Sequence, residues 1–333
     1  MTPSDRLLLI AAGFFNGLRL VRLEDLSWEN VQSERWKDEY PVCGRSHQSP
    51  INIDFQTVTE DYTMRPIQFI DYDEVPPGHL WRLENNGYTV KLSADFPCSP
   101  QLQGGSLHAK YSLVQIHFHW AHVDHYGSEH HLDGRRYPLE MHLVHLRRNK
   151  SAQERANDEI GYAVVAVFFE LGNVANHQLT PITNALQLIQ AAGTVRNVTL
   201  PDFTLKSILP HLPDFFRYNG SLTTPPCDVT VQWSVMRQPI RVNSNQLAAF
   251  RSLRAFHPDK SDNHTAAPFI KNNFRPVQEL GGRKVLRYRS YAKYETDKIN
   301  VESVAGRPHS TFFYLLFPML ILSTLSACTY QRP

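Results

Sequence analysis

The sequence predicts a mainly β fold with peripheral helices, in which one large, mostly antiparallel sheet forms a single domain. Three observations predict it. Between Trp28 and Tyr294 there is no long helical period and no internal repeat, and short apolar or alternating runs recur instead. Most of those runs are bounded within a few residues by Gly, Pro, Asn or Asp, the punctuation of strands. A chain of 333 residues with 42% hydrophobic and 20% charged residues can bury a large core, and β-rich folds of this size often form one unit. A formal net charge of +2 gives no reason to expect a nucleic-acid partner.

The elements follow in chain order. Residues 1–21 carry one early base, Arg6, and then an apolar run Leu7–Phe15, which fits a secretory signal; an amphipathic N-terminal helix is the alternative. Strands are expected over Trp81–Leu92, Leu113–His119, Leu139–Leu146, Ala163–Leu171 and Val229–Val235. Helical spacing appears in Pro181–Ala192 and Asn245–Ala255, the first opening with Thr180-Pro181 as a cap and first helical position. The domain is therefore placed at 28–294, and the polar stretch 295–306 resembles a stalk. At its end Ser303-Val304-Ala305-Gly306 supplies small residues, followed by Arg307–Thr311 as a polar spacer and Phe312–Cys328 as an uncharged tail. Small site, spacer and short tail match a glycosylphosphatidylinositol (GPI)-anchor signal over 307–333, with Ser303 as candidate attachment site. A membrane span is the alternative, but the tail is at the short limit for one and contains Pro318.

With both ends removed, Cys43, Cys98 and Cys227 remain, and secretion would pair two of them and leave one thiol. Sequons at Asn149, Asn197, Asn219 and Asn263 are compatible with secretion, although Asn219 lies close to the loop that carries the chemistry.

Histidine is crowded. His117, His119, His122, His125, His130, His131, His142 and His145 are half of the sixteen in the chain. In a strand, alternate side chains share a face and each residue advances about 3.3 Å. His117-Phe118-His119 thus aims two imidazoles at one side, and His142, in a second alternating strand, can reach the same point. Three protein nitrogens with an open fourth position is the arrangement of catalytic zinc. Gln115 shares the face of His117 and His119, and Glu140 that of His142, so both are candidates to accept the free ring N–H and fix the tautomer.

Six blocks then resemble the α-class carbonic anhydrase family, in family order. They are Gln48–Ile53, Gln115–Trp120, Gly127–His130, Glu140–His145, Gly220–Cys227 and Asn273–Pro276. The resemblance implies a central twisted, mainly antiparallel sheet, and reversible hydration of carbon dioxide to bicarbonate and a proton by zinc-bound hydroxide. It implies Zn²⁺ held by His117, His119 and His142, with Gln115 and Glu140 behind them. Thr223 resembles the residue that accepts from the hydroxide and donates to Glu129, Thr224 a neighbour that helps hold bicarbonate, and Tyr218 a member of the network behind Thr223. Val144, Val164, Leu222 and Trp233 resemble the apolar wall where carbon dioxide rests. Cys43 and Cys227 fall where secreted and membrane-bound members have a disulfide, which leaves Cys98 as the odd thiol. Small anions and sulfonamides are implied as inhibitors, and an esterase activity as a side reaction.

The match departs from the family at two places. Fast members carry a histidine proton shuttle after an Asn-Gly pair, whereas Asn86-Gly87 is followed by Tyr88, whose ordinary pKa near 10 is poorly matched to a donor near 7. Asn30 falls where many members have a tyrosine that orders water. The rival reading is a silent relative serving as a surface binding or adhesion module. Such relatives typically lose a zinc-binding histidine, and all three are retained here.

Overall fold

A computed structural model describes residues 33–74, 79–96, 98–147, 160–256 and 267–290. The expected signal at 1–21, Asn30, Asn149, Asn263, the domain end at 291–294, the stalk 295–306 with Ser303, and the tail 307–333 lie outside the described residues. The early strands are β1 (Asn52–Ile53), β2 (Thr59–Glu60), β3 (Ile67–Ile70), β4 (Trp81–Asn85), β5 (Val90–Ser93) and β6 (Gln101–Gly104). Then come β7 (Tyr111–Trp120), β8 (His131–Leu132), β9 (Leu139–Arg147), β10 (Tyr162–Leu171) and β11 (Val195–Val198). The last are β12 (Phe215–Gly220), β13 (Val231–Met236), β14 (Ile240–Val242) and β15 (Leu286–Tyr288). Short helices α1 (Trp36–Glu39), α2 (Thr180–Ala185) and α3 (Ser244–Arg251) lie between them. All belong to one unit, Met1–Arg289.

Thirteen strands form one mixed sheet whose main path runs β11-β4-β5-β7-β9-β10-β13-β12-β15-β2. Most neighbours are antiparallel; β10 is parallel to β13 and β14, and β15 to β2. The expectation of a mostly antiparallel sheet is met. Its centre is buried on both faces, because alternate residues feed two apolar layers. On β10, Val165 and Val167 join the larger layer with Leu143, Met141 and Phe118, while Val164, Ala166 and Phe168 join a smaller one with Val144, Trp233 and Phe216. Each large apolar side chain removed from water in this way contributes about 1.5–3 kcal/mol before conformational entropy is subtracted.

Three local expectations are corrected. The run Trp81–Leu92 is two strands, because Asn86-Gly87 makes a hairpin turn. Asn86 Oδ1 accepts from the backbone N–H of Tyr88 at 3.0 Å and of Thr89 at 2.8 Å, and Gly87 takes a φ of +85°. In α2, Thr180 does not cap: its hydroxyl donates to Asn176 O at 2.9 Å, and the helix tightens to a 3₁₀ turn over Leu186–Ile189. In α3 the cap is Asn243, whose side chain accepts from Gln246 N at 2.9 Å while Gln246 Oε1 accepts from Asn243 N at 3.3 Å.

Candidate metal centre and its pocket

Strand register assembles the histidines. In the antiparallel β7–β9 pair, His117 stands opposite His142 and His119 opposite Glu140. Directly opposed Cβ atoms in such a pair lie about 4.5–5.5 Å apart, close enough for imidazoles to meet. A bulge between Leu113 and Gln115 sets the face. Leu113 on one side of it, and Ile116 and Phe118 on the other, all enter the larger core layer. Gln115, His117 and His119 are thereby turned the other way.

The ring nitrogens converge. His142 Nδ1 lies 3.2 Å from His119 Nε2 and 3.2 Å from His117 Nε2. Hydrogen bonding fixes two of the tautomers. His119 Nδ1 sits 2.8 Å from the carbonyl of Asn273, which can only accept. His142 Nε2 sits 2.7 Å from Glu140 Oε1. Burial alone would raise the Glu140 pKa, but His130 and His142 around it hold the carboxyl well below the usual range, so it too accepts. Both rings therefore turn lone pairs toward each other across 3.2 Å. Burial pushes the pKa of His117 well below its ordinary value, and its neighbouring histidines push the same way; burial likewise lowers that of His119. Three ring nitrogens facing one point are an arrangement that a cation between them would satisfy. His117, His119 and His142 are accordingly a group that could hold a metal ion. Three imidazoles suit zinc, with a fourth position left open. The second group of this kind, His130, Glu140 and His142, is instead closed by its own hydrogen bonds.

The surroundings agree only in part with the sequence expectations. Glu140 backs His142 as expected, and it also accepts from the backbone N–H of His130 at 2.8 Å and from His130 Nδ1 at 2.7 Å. Tyr218 Oη lies 2.7 Å from His130 Nε2 and 2.9 Å from Ser49 Oγ. Burial pushes the Tyr218 phenol well above its ordinary pKa, so it remains protonated. Gln115 does not play the part expected for it: it is only half-buried beside the bulge, and His117 Nδ1 has no hydrogen-bond partner among the described residues. The expected Thr223–Glu129 hydrogen bond is also not formed. Thr223 is buried, but Glu129 Oε1 accepts from Arg275 N at 2.8 Å, and Oε2 has no hydrogen-bond partner. That oxygen points at the histidines instead, 3.4 Å from His119 Nε2, and adds negative charge where a cation would sit.

The apolar wall is a rung of the sheet. Val144, Val164 and Trp233 occupy adjacent register positions on β9, β10 and β13. The Trp233 ring lies 4.9 Å from that of His142, and its Nε1 donates to Ser221 O at 3.1 Å. Leu222 packs against the same layer, half-buried, and Thr224 accepts from Cys227 N at 2.9 Å. Cys43 and Cys227 form the disulfide that the resemblance implied, tying the N-terminal segment to the loop after Thr224. Cys98 is not the odd thiol: it is itself disulfide-bonded, and there is no free cysteine among the described residues.

Several contributors escaped the sequence reading. Arg275 is buried, and its Nη1 donates to Gln48 Oε1 and Ser49 O at 2.8 and 2.9 Å, its Nη2 to Cys43 O at 3.0 Å. It thereby joins the disulfide, the loop and Glu129. Asn273 donates through Nδ2 to Tyr88 O at 2.8 Å while its carbonyl receives His119. That linkage brings Tyr88, half-buried and edge-on to Phe256 at 6.0 Å, into the shell behind the histidines. Both residues stand in the quoted Asn273–Pro276 block, and His130 in the Gly127–His130 block, but no side-chain pattern announced their bonds. Of the sequons, Asn197 and Asn219 are exposed on β11 and β12.

Residues 31–289 match the family model for the eukaryotic-type carbonic anhydrase. Carbonic anhydrase 15 of Mus musculus is 37% identical over 258 residues, covering 75% of this chain and 78% of that one. Carbonic anhydrase 4 of Oryctolagus cuniculus is 34% identical over 293 residues, covering 84% and 90%. Mitochondrial carbonic anhydrase 5A of Rattus norvegicus is 37% identical over 254 residues, covering 75% and 79%. With the three-histidine centre in place to hold the family's metal, the chain belongs to the eukaryotic-type carbonic anhydrases, the zinc-dependent lyases that act on carbon dioxide and bicarbonate.

Proposed function

We propose that the chain reversibly hydrates carbon dioxide at the outer face of a cell membrane, with Thr223, Thr224 and Glu129 handling substrate and proton beside the histidines. The observation that carries the reading is the convergence of three imidazole nitrogens, His142 Nδ1 lying 3.2 Å from each of the other two, next to an apolar wall. Zinc in that position supplies a Lewis acid that lowers the pKa of bound water from 15.7 to about 7. The protein's own part is positional. Glu140 and the Asn273 carbonyl hold two rings in the tautomers that aim lone pairs inward. Val144, Val164 and Trp233 line a surface that suits an uncharged triatomic molecule better than an ion. The Thr223 hydroxyl would orient the attacking oxygen, and Thr224 would help to hold the bicarbonate formed. The same centre would attack activated esters as a side reaction, and small anions and sulfonamides would compete for the open position.

Proton export is the step in which this chain would differ from fast relatives. Tyr88 stands at the shuttle position with a phenol where an imidazole would serve better. Tyr88→His is expected to raise kcat by roughly tenfold or more in weak buffer and leave kcat/KM nearly unchanged, because kcat/KM does not contain that step. Added imidazole should raise the wild-type kcat in the same way. If neither change has an effect, another group such as His122 or His125 relays the proton and Tyr88 is no handicap.

The surface location rests on the order of small site, spacer and apolar tail after Ser303. No helix among the described residues is long and apolar enough to cross a membrane. Phospholipase C specific for inositol lipids is expected to release the protein from intact cells. Retention after treatment, with tail peptides found by mass spectrometry, would indicate a span instead.

A further inference from the structure

A second polar cluster lies on the opposite face of the sheet from the histidines. Arg217 on β12 is 3% exposed, and its Nε, Nη1 and Nη2 all lack hydrogen-bond partners among the described residues. Its guanidinium carbon sits 5.1 Å from the centre of the Phe215 ring, on the side of the larger apolar layer. Directly across the strand pair stands Ser234 of β13, 0% exposed, whose Oγ also has no partner. A Cβ built on Gly105 would come within 2.8 Å of Arg217 Nη2, so bare backbone with a φ of +56° closes the space around the guanidinium.

This is a costly arrangement unless something compensates it. A guanidinium offers five N–H donors and no acceptor, and an unpaired buried charge is strongly destabilising. Burial pushes the pKa of Arg217 down to about 9, which leaves it charged at neutral pH. The same fold shows how a buried arginine is otherwise accommodated. Arg275, 4% exposed, donates to Gln48, Ser49 and Cys43 and has Glu129 beside it. Nothing comparable surrounds Arg217. The Phe215 ring and the Ser234 hydroxyl lie beside it, and a hydroxyl can turn its proton toward an acceptor. The missing partner is thus an acceptor with about one negative charge, small enough to lie over the face that Arg217 and Ser234 share on the β12–β13 pair.

We propose that Arg217 and Ser234 form a buried site for one small monovalent anion, chloride or bicarbonate, distinct from the metal centre and on the other face of the sheet. The guanidinium supplies charge and paired donors, and Ser234 supplies a third donor. A dianion such as sulfate would leave net negative charge in an apolar layer and is disfavoured.

The test follows thermal unfolding of the full zinc-loaded chain with a sulfonamide saturating the metal's open position, so that anions cannot act there. Chloride or bicarbonate replaces gluconate at constant ionic strength. The wild type is expected to rise saturably in Tm, by about 3 °C at ten times the half-saturating concentration. Whichever anion half-saturates at the lower concentration is the better fit to the site. Arg217→Met should abolish the rise, and Ser234→Ala should increase the half-saturating concentration about tenfold, the worth of one hydrogen bond to a charged group. A crystal grown with bromide in place of chloride should show an anomalous peak within hydrogen-bonding distance of Arg217. Should Arg217→Met fail to fold, Ser234→Ala and the bromide peak decide. A Tm that follows ionic strength alone, an unchanged response in Ser234→Ala, or bromide found elsewhere as an adventitious ion only would overturn the proposal.

Discussion

His119→Ala is expected to lose bound zinc and to reduce carbon dioxide hydration by at least about a thousandfold. The reason lies in the geometry of the three nitrogens. His119 Nε2 is one of the lone pairs held 3.2 Å from His142 Nδ1, and its ring is aimed by a single bond from Nδ1 to the Asn273 carbonyl. Removing it leaves two donors, too few for a catalytic zinc site, which takes three protein ligands. Without the metal, water at neutral pH returns to a pKa near 15.7 and hydroxide is scarce. The fold should survive, because His117, His142 and Glu129 then lose mutual repulsion rather than a contact they need. Metal analysis, stopped-flow hydration and circular dichroism together check this. Full zinc occupancy with near-normal turnover would show that the metal centre has been misassigned.

The second large effect is expected at Glu140, which touches no substrate. Its carboxylate is fully buried and accepts three hydrogen bonds, two from His130 and one from His142. Glu140→Gln keeps the shape but puts an amide N–H₂ against groups that donate. One of them must give way, and turning His142 over moves its proton to Nδ1, the atom that faces the other histidines. Zinc affinity is expected to fall by about 10–100-fold, with activity falling in step at limiting zinc. Excess zinc should recover much of the activity, which a general loss of structure would not allow. Unchanged affinity in a chelator competition would mean that Glu140 does not set the tautomer. Glu140→Asp, one methylene shorter, should weaken zinc less than Gln does if the charge matters more than the reach.

Much of the fold and of the metal site was legible because both depend on periodicity. Alternation fixed which face His117, His119 and His142 share, and Gly, Pro and Asn marked where strands end. What periodicity could not show is how strands pair. The β7–β9 register, which sets His117 opposite His142, depends on a bulge at Leu113–Gln115 that leaves no simple mark in the residues. The same bulge leaves Gln115 half-buried, without the bond to His117 expected of it. Backbone acceptors are equally silent in a sequence, so the Asn273 carbonyl behind His119 could not be anticipated. Charges brought together from distant segments form the third class. Arg275 joins Gln48, Ser49, Cys43 and Glu129, each more than a hundred residues away from it in the chain. Arg217 lies outside every strand expected from the sequence, and its place between β13 and β15 comes from strand pairing that periodicity could not show.

Stopped-flow carbon dioxide hydration by the purified protein, with zinc measured on the same sample, tests the central claim most directly. The account predicts about one zinc per chain, hydration well above the buffer rate, loss of both on chelation, and recovery of both when zinc is returned. A protein that holds one zinc at His117, His119 and His142 and yet hydrates carbon dioxide no faster than buffer would contradict it.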